Sequence, residues 1–150
     1  MRFLFEKNNP SFFDILIRWW TRSPYSHVEL LFSDGQKFSA VPGVGTRFAP
    51  ASPIESQCWD ILVLPTTVEQ EAKIRAFCER EVGCKYDWRG IFFSQIIRMR
   101  RHCMGRWFCS EVCTAGMQAG GFMPSATPCT LSPGQFNTRL KEIGAVPCAS

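Results

Sequence analysis

Histidine is scarce in this chain of 150 residues, occurring only at positions 27 and 102. Any chemistry that needs an imidazole must therefore draw on one of those two. Long apolar runs are lacking as well. The longest membrane-like stretch, Phe12 to Trp20, contains Asp14 and Arg18 and is far too short to cross a bilayer, so no transmembrane segment is expected. The opening residues Met1 to Glu6 lack the charged region, apolar stretch and cleavage site of a signal peptide, so reduced thiols and a cytoplasmic location are expected. No strong charge of one sign is present. Seventeen basic against 13 acidic residues give +4, too mild for a dedicated nucleic-acid binder, and no specific nucleic-acid partner is expected. No C-x-x-C pair occurs, and Cys109 with Cys113 has helical rather than zinc-knuckle spacing, so neither a metal nor a cofactor is expected. Internal repeats, low-complexity tracts and interdomain linkers are missing, which points to a single domain over residues 1–150.

What is present is apolar material, 45% of the chain, enough for one core. Arg2 to Glu6 alternates as a short strand. Ser11 is placed to cap a helix reaching about Trp20, on which Phe12, Ile15, Leu16 and Trp19 form a stripe widened by Phe13, Ile17 and Trp20. Core packing is the simplest reading of that stripe, and interfacial or lipid contact is the alternative. Ser26 to Phe32, Lys37 to Val41, Thr46 to Phe48 and Trp59 to Leu64 read as strands, and Ser33-Asp34-Gly35-Gln36 as a hairpin turn. A four- or five-stranded antiparallel sheet is expected. Helices are expected over Val68 to Val82, after Tyr86, after Cys109, and from about Pro133 to Ile143. The expected class is α+β, a small antiparallel sheet packed against helices. Arg98, Arg100, Arg101 and Arg106 form a basic cluster that reads as a solvated loop or as a contact for an anionic surface.

Of the eight cysteines, Cys109 is distinctive, because Ser110 to Ala119 after it has the composition of a buried helix. A thiol at a helix start meets the positive end of the dipole, worth about 0.3–1 kcal/mol to a thiolate, and a nearby imidazole does more. Free N–H groups there also suit an oxyanion. Cys113, one turn later, reads as core. The imidazole is expected to be His27, on a strand whose period of two sends Glu29 to the same face. His102 lies among arginines and reads as a surface residue. A third group should orient the imidazole, and Glu29, Ser39 and Glu111 are the alternatives, with Glu29 first.

Three motifs, Ser26-His27-Val28-Glu29 before a hairpin, Gly83-Cys84-Lys85-Tyr86-Asp87-Trp88-Arg89-Gly90 before an apolar segment, and Phe108-Cys109-Ser110-Glu111, occur in that order. With histidine before cysteine, the chain resembles the circularly permuted branch of the NlpC/P60 papain-like superfamily, with its YiiX/YebB-like and lecithin:retinol acyltransferase-like members, over residues 23–120. The resemblance implies a circularly permuted papain-like fold and a thiolate, Cys109, that attacks a carbonyl to give an acyl-enzyme. It implies a thiol hydrolase acting on an amide in a peptide or cell-wall peptide. The alternatives are a lipid acyl hydrolase or acyltransferase with an acyl-lipid substrate, and a non-catalytic binding or redox module. Tyr25 and Tyr86 are candidates for contact with substrate or oxyanion.

Overall fold

A computed structural model of the chain describes residues 1–51, 58–87 and 105–148. Strand β1 (Arg2–Lys7) opens the chain, followed by α1 (Phe12–Thr21), β2 (Tyr25–Leu31), β3 (Gln36–Val41), β4 (Gly45–Pro50) and β5 (Trp59–Val63). Helix α2 (Val68–Arg80), the two-residue strands β6 (Lys85–Tyr86) and β7 (Arg106–Trp107), α3 (Cys109–Ala119), a 3₁₀ turn (Pro128–Thr130), α4 (Pro133–Glu142) and β8 (Val146–Pro147) complete it. The protein is mixed α+β. Its main sheet is antiparallel and six-stranded, in the order β4-β3-β2-β1-β5-β8. That is one strand more than expected, because Val146–Pro147 adds an edge too short to show a periodicity.

β1 is buried because alternation places Phe3 and Phe5 on one face and Leu4 on the other, all shielded from solvent. Val28 stands opposite Phe5 and Leu30 opposite Phe3, and Phe136 of α4 meets both phenylalanines at ring separations near 6 Å. α3 lies between this face and α2. A Cβ on its Gly116 would touch Leu30 of β2 and both Ile74 and Phe77 of α2 at 3.6 Å, so the lack of a side chain lets the three elements close up. Thr67 and Ser132 start α2 and α4 with reciprocal capping boxes involving Gln70 and Gln135.

Two expectations need correction. Ser11 precedes α1 but makes no side-chain capping bond; its own N–H is taken by Asn9 Oδ1 at 3.0 Å. The α1 stripe is not core either. Phe12 is 74% exposed and Trp19 71%, with Ile15 and Leu16 also exposed. The side chains of Phe13 and Trp20, the helix expected after Tyr86, His102, and the arginines at 98, 100 and 101 lie outside the described residues. Among the described residues, no helix is long and apolar enough to cross a membrane.

Candidate active site

The position of Cys109 is set by the residues before it. β7 runs parallel to β6 with Tyr86 opposite Trp107, and the Asp87 N–H donates to the Trp107 carbonyl at 2.9 Å. Phe108 continues in extended backbone and Cys109 is the first residue of α3. The side chain of Phe108 has no acceptor, so it caps none of the first-turn N–H groups; the first helical bond is Val112 N–H to the Phe108 carbonyl at 3.1 Å. Cys109 therefore sits at the positive end of a buried helix whose start no N-cap side chain closes.

β2 brings His27 to this point. Its imidazole faces the Cys109 sulfur, whose field favours the ring proton, and its Nε2 lies 3.7 Å from Glu29 Oε1. That second separation is longer than a hydrogen bond, so the attraction there is mainly between charges. Only 13% of the His27 side chain is exposed. Burial opposes its charge, yet the Cys109 sulfur and the Glu29 carboxylate together outweigh that cost and push its pKa up to about 10. Burial likewise works against the Glu29 anion, but His27 and Lys37 more than compensate, and its carboxyl is held below the usual range. Lys37 Nζ is 2.9 Å from Glu29 Oε2. Its angle of approach makes an ion pair rather than an aligned hydrogen bond.

The structure thus brings Cys109, His27 and Glu29 together. Tyr86 joins them. Its phenol is buried, and its pKa is raised well above normal, first by burial and then by the negative fields of Cys109, Asp14 and Asp87. Tyr25 does not join them: its hydroxyl donates to Asp60 Oδ2 of β5 at 2.7 Å, a bond that with burial lifts its pKa to about 12. Ser39 donates its hydroxyl to the Val28 carbonyl at 2.7 Å and so serves the backbone. Glu111 is buried in the first turn of α3. Cys113 is fully buried beneath the site with its thiol pKa pushed far up, chiefly by burial, which keeps it an inert core residue.

A polar clamp fixes the strand pair that carries Tyr86 and leads to Cys109. Glu81 Oε2 accepts from Trp107 Nε1 at 2.8 Å and from Cys84 Sγ at 3.5 Å. Thr46 of β4 bonds the same segment: its N–H donates to the Cys84 carbonyl at 3.0 Å, its Oγ1 accepts from Cys84 N–H at 2.9 Å and also donates to the Glu81 carbonyl. Gly45 allows the approach, since a Cβ there would stand 2.2 Å from the Cys84 carbonyl oxygen.

Lys37 and Glu81 were not singled out by sequence reasoning. The pairing of Lys37 with Leu31 puts it diagonally across from Glu29, two positions away on β2, a relation that depends on register. Glu81 is one acid among several near a helix end, and only the β6–β7 pairing shows which indole it meets. Among the described residues, no group of three or more His, Cys, Asp or Glu side chains is arranged to hold a metal ion. No protein-family model matches the chain, and no curated protein matches it in sequence.

Proposed function

We propose that this protein is a cysteine-nucleophile hydrolase with a circularly permuted papain-like (NlpC/P60) arrangement, cleaving an amide bond in a peptide or cell-wall peptide. The observation that carries the reading is the imidazole of His27, enclosed between the Cys109 sulfur and the Glu29 carboxylate and favoured in its protonated form. An imidazolium beside a sulfur at a helix start is the pairing a thiolate nucleophile needs. In the first step the Cys109 sulfur bonds to the substrate carbonyl carbon and the carbonyl electrons move to oxygen. In this reading the N–H groups of Cys109 and Ser110 at the start of α3, with the Tyr86 hydroxyl, donate to that oxyanion. As the C–N bond breaks, His27 gives its proton to the departing nitrogen, leaving a thioester on Cys109. Neutral His27 then takes a proton from water, whose oxygen attacks the thioester carbon and releases the acid product and the thiolate. Glu29 keeps the imidazole oriented throughout.

Site-resolved iodoacetamide alkylation from pH 4 to 9, followed by mass spectrometry, tests the pair. Cys109 is expected to react faster than the other thiols below pH 7 and to lose that advantage in His27→Ala. If Cys109 behaves like Cys58 and Cys148 in both proteins, the catalytic reading fails and the binding-module alternative takes its place. A second reading, lipid acyl hydrolysis or acyl transfer, has one observation in its favour. The row Phe12, Ile15, Leu16 and Trp19 on α1 is exposed, an apolar surface of the kind that meets lipid.

A further inference from the structure

Lys37 has no place in the thiol chemistry above, yet it stands at the carboxylate that faces the imidazole. Glu29 is nearly buried, with 9% of its side chain exposed, and its two oxygens face different partners: Oε1 faces His27 Nε2 at 3.7 Å and Oε2 faces Lys37 Nζ at 2.9 Å. Charged and titratable groups face this pair from neighbouring strands and from a helix. β2 carries His27, β3 carries Lys37, β1 presents the apolar Leu4 opposite Glu29 and Glu6 opposite His27, and α3 carries Cys109 and Cys113. A carboxylate in so enclosed a place stays ionised only if cations offset the lost hydration.

We infer that Lys37 is a positioning residue which acts through Glu29, holding that carboxylate ionised and its Oε1 turned to His27, and so sustains the reactivity of Cys109; this rests on the thiolate and imidazolium reading above. β3 supplies Lys37 from the ladder position facing Leu31, and its stem is largely covered, with 20% of the side chain exposed, so the ammonium has little freedom to leave. Two cations and two anions then share the site in the order Lys37, Glu29, His27, Cys109. Each charge has opposite neighbours. Neutralising Lys37 removes the terminal cation, and protonation of Glu29 becomes easier as the pH falls.

The test is the pH dependence of Cys109 alkylation by iodoacetamide in the parent, Lys37→Met, Lys37→Arg, His27→Ala, Glu29→Gln and the Glu29→Gln/Lys37→Met double variant, with melting curves to verify folding. Lys37→Met is expected to shift the acid limb upward by about one pH unit, the lower end of what an adjacent cation does to a carboxyl. Well below the midpoint of that limb this is about a tenfold loss of rate, with convergence on the parent above it. Lys37→Arg is expected to restore most of it. In the Glu29→Gln background the same substitution is expected to change the rate by less than about twofold, because its route is gone. A loss in Lys37→Met that is equal at every pH, no loss at all, or a full tenfold loss on top of Glu29→Gln would each overturn the role assigned to Lys37. If instead His27→Ala leaves the Cys109 profile unchanged, the underlying pair fails, independently of Lys37. Lys37→Gln, which keeps a polar side chain without the charge, carries the same comparison if Lys37→Met does not fold.

Discussion

Replacing Gly45 by alanine tests whether β4 presses on the strand pair that carries Tyr86. Gly45 has φ +96° and Gly43, two residues earlier, has φ +77°, so an alanine at either must enter the left-handed region. That alone costs about 1–2 kcal/mol. At Gly43 nothing lies within 4 Å of the added carbon, whereas at Gly45 it would stand 2.2 Å from the Cys84 carbonyl oxygen and 3.3 Å from the carbonyl carbon, both main-chain atoms that no rotamer change can move. The backbone of β4 has to retreat. In doing so it weakens the Thr46 N–H bond to the Cys84 carbonyl and the Cys84 N–H bond to Thr46 Oγ1, each worth about 1 kcal/mol net. The sum is about 3–4 kcal/mol for Gly45→Ala against about 1–2 for Gly43→Ala. At roughly 2–4 °C per kcal/mol for a chain of this size, Gly45→Ala is expected to melt on the order of 10 °C below the parent and Gly43→Ala about 4 °C below. Calorimetry or circular dichroism melts provide the comparison. Should the two variants melt within about 2 °C of one another, the close contact between Gly45 and Cys84 is not a constraint on the fold, and the clamp cannot be what fixes β6.

Two further outcomes follow from the site. Because the Cys109 sulfur and Glu29 overcome burial and hold the His27 proton to about pH 10, the imidazolium that must protonate the leaving group is present below that pH and lost above it. Single-turnover release of the leaving group is therefore expected to decline near pH 10, and Glu29→Gln to bring the decline down by about one pH unit; a decline near the ordinary histidine value of about 6.5 would contradict the geometry. The second concerns α1. Since Phe12 and Trp19 are exposed, the pair Phe12→Ser and Trp19→Ser is expected to leave the melting temperature within about 2 °C of the parent. If acyl lipids are the substrate, the same pair slows turnover on vesicles but not on a soluble ester, and equal turnover on both would remove the lipid reading.

Much of this site was legible in the chain because it depends on short-range geometry. His27 and Glu29 are two residues apart on a strand, and a period of two places them together whatever the rest of the fold does. Cys109 opens α3 because an apolar helical segment follows extended residues, again a local matter. The parts that were not legible depend on contacts distant in sequence. β6 and β7 have two residues each, too few for any pattern, and their parallel pairing brings Tyr86 beside Cys109 from 23 positions earlier. The α1 stripe shows the opposite failure. Its helical spacing is real and the helix is present, but amphipathicity says only that one face is apolar, not that the face is buried.

The opening between β2 and β3 explains why the polar groups of the site can be buried at all. The ladder between these strands is short, pairing Leu30 with Phe38 and Leu31 with Lys37. Before it, the Val28 carbonyl accepts from the Ser39 hydroxyl at 2.7 Å and lies 3.9 Å from Cys113 Sγ, so side chains supply what a longer ladder would have supplied. The first turn of α3 meets His27 on this same stretch of β2, and Glu29 follows where the paired region begins. Extending the ladder toward His27 would satisfy the same backbone groups but draw β3 into the space α3 uses. Ser39 therefore has a structural role at the site without titrating: it keeps the β2 backbone bonded while leaving His27 accessible to Cys109. Ser39→Ala would leave the Val28 carbonyl with only the weak sulfur contact, a loss of about 1–3 kcal/mol for a buried acceptor deprived of its donor.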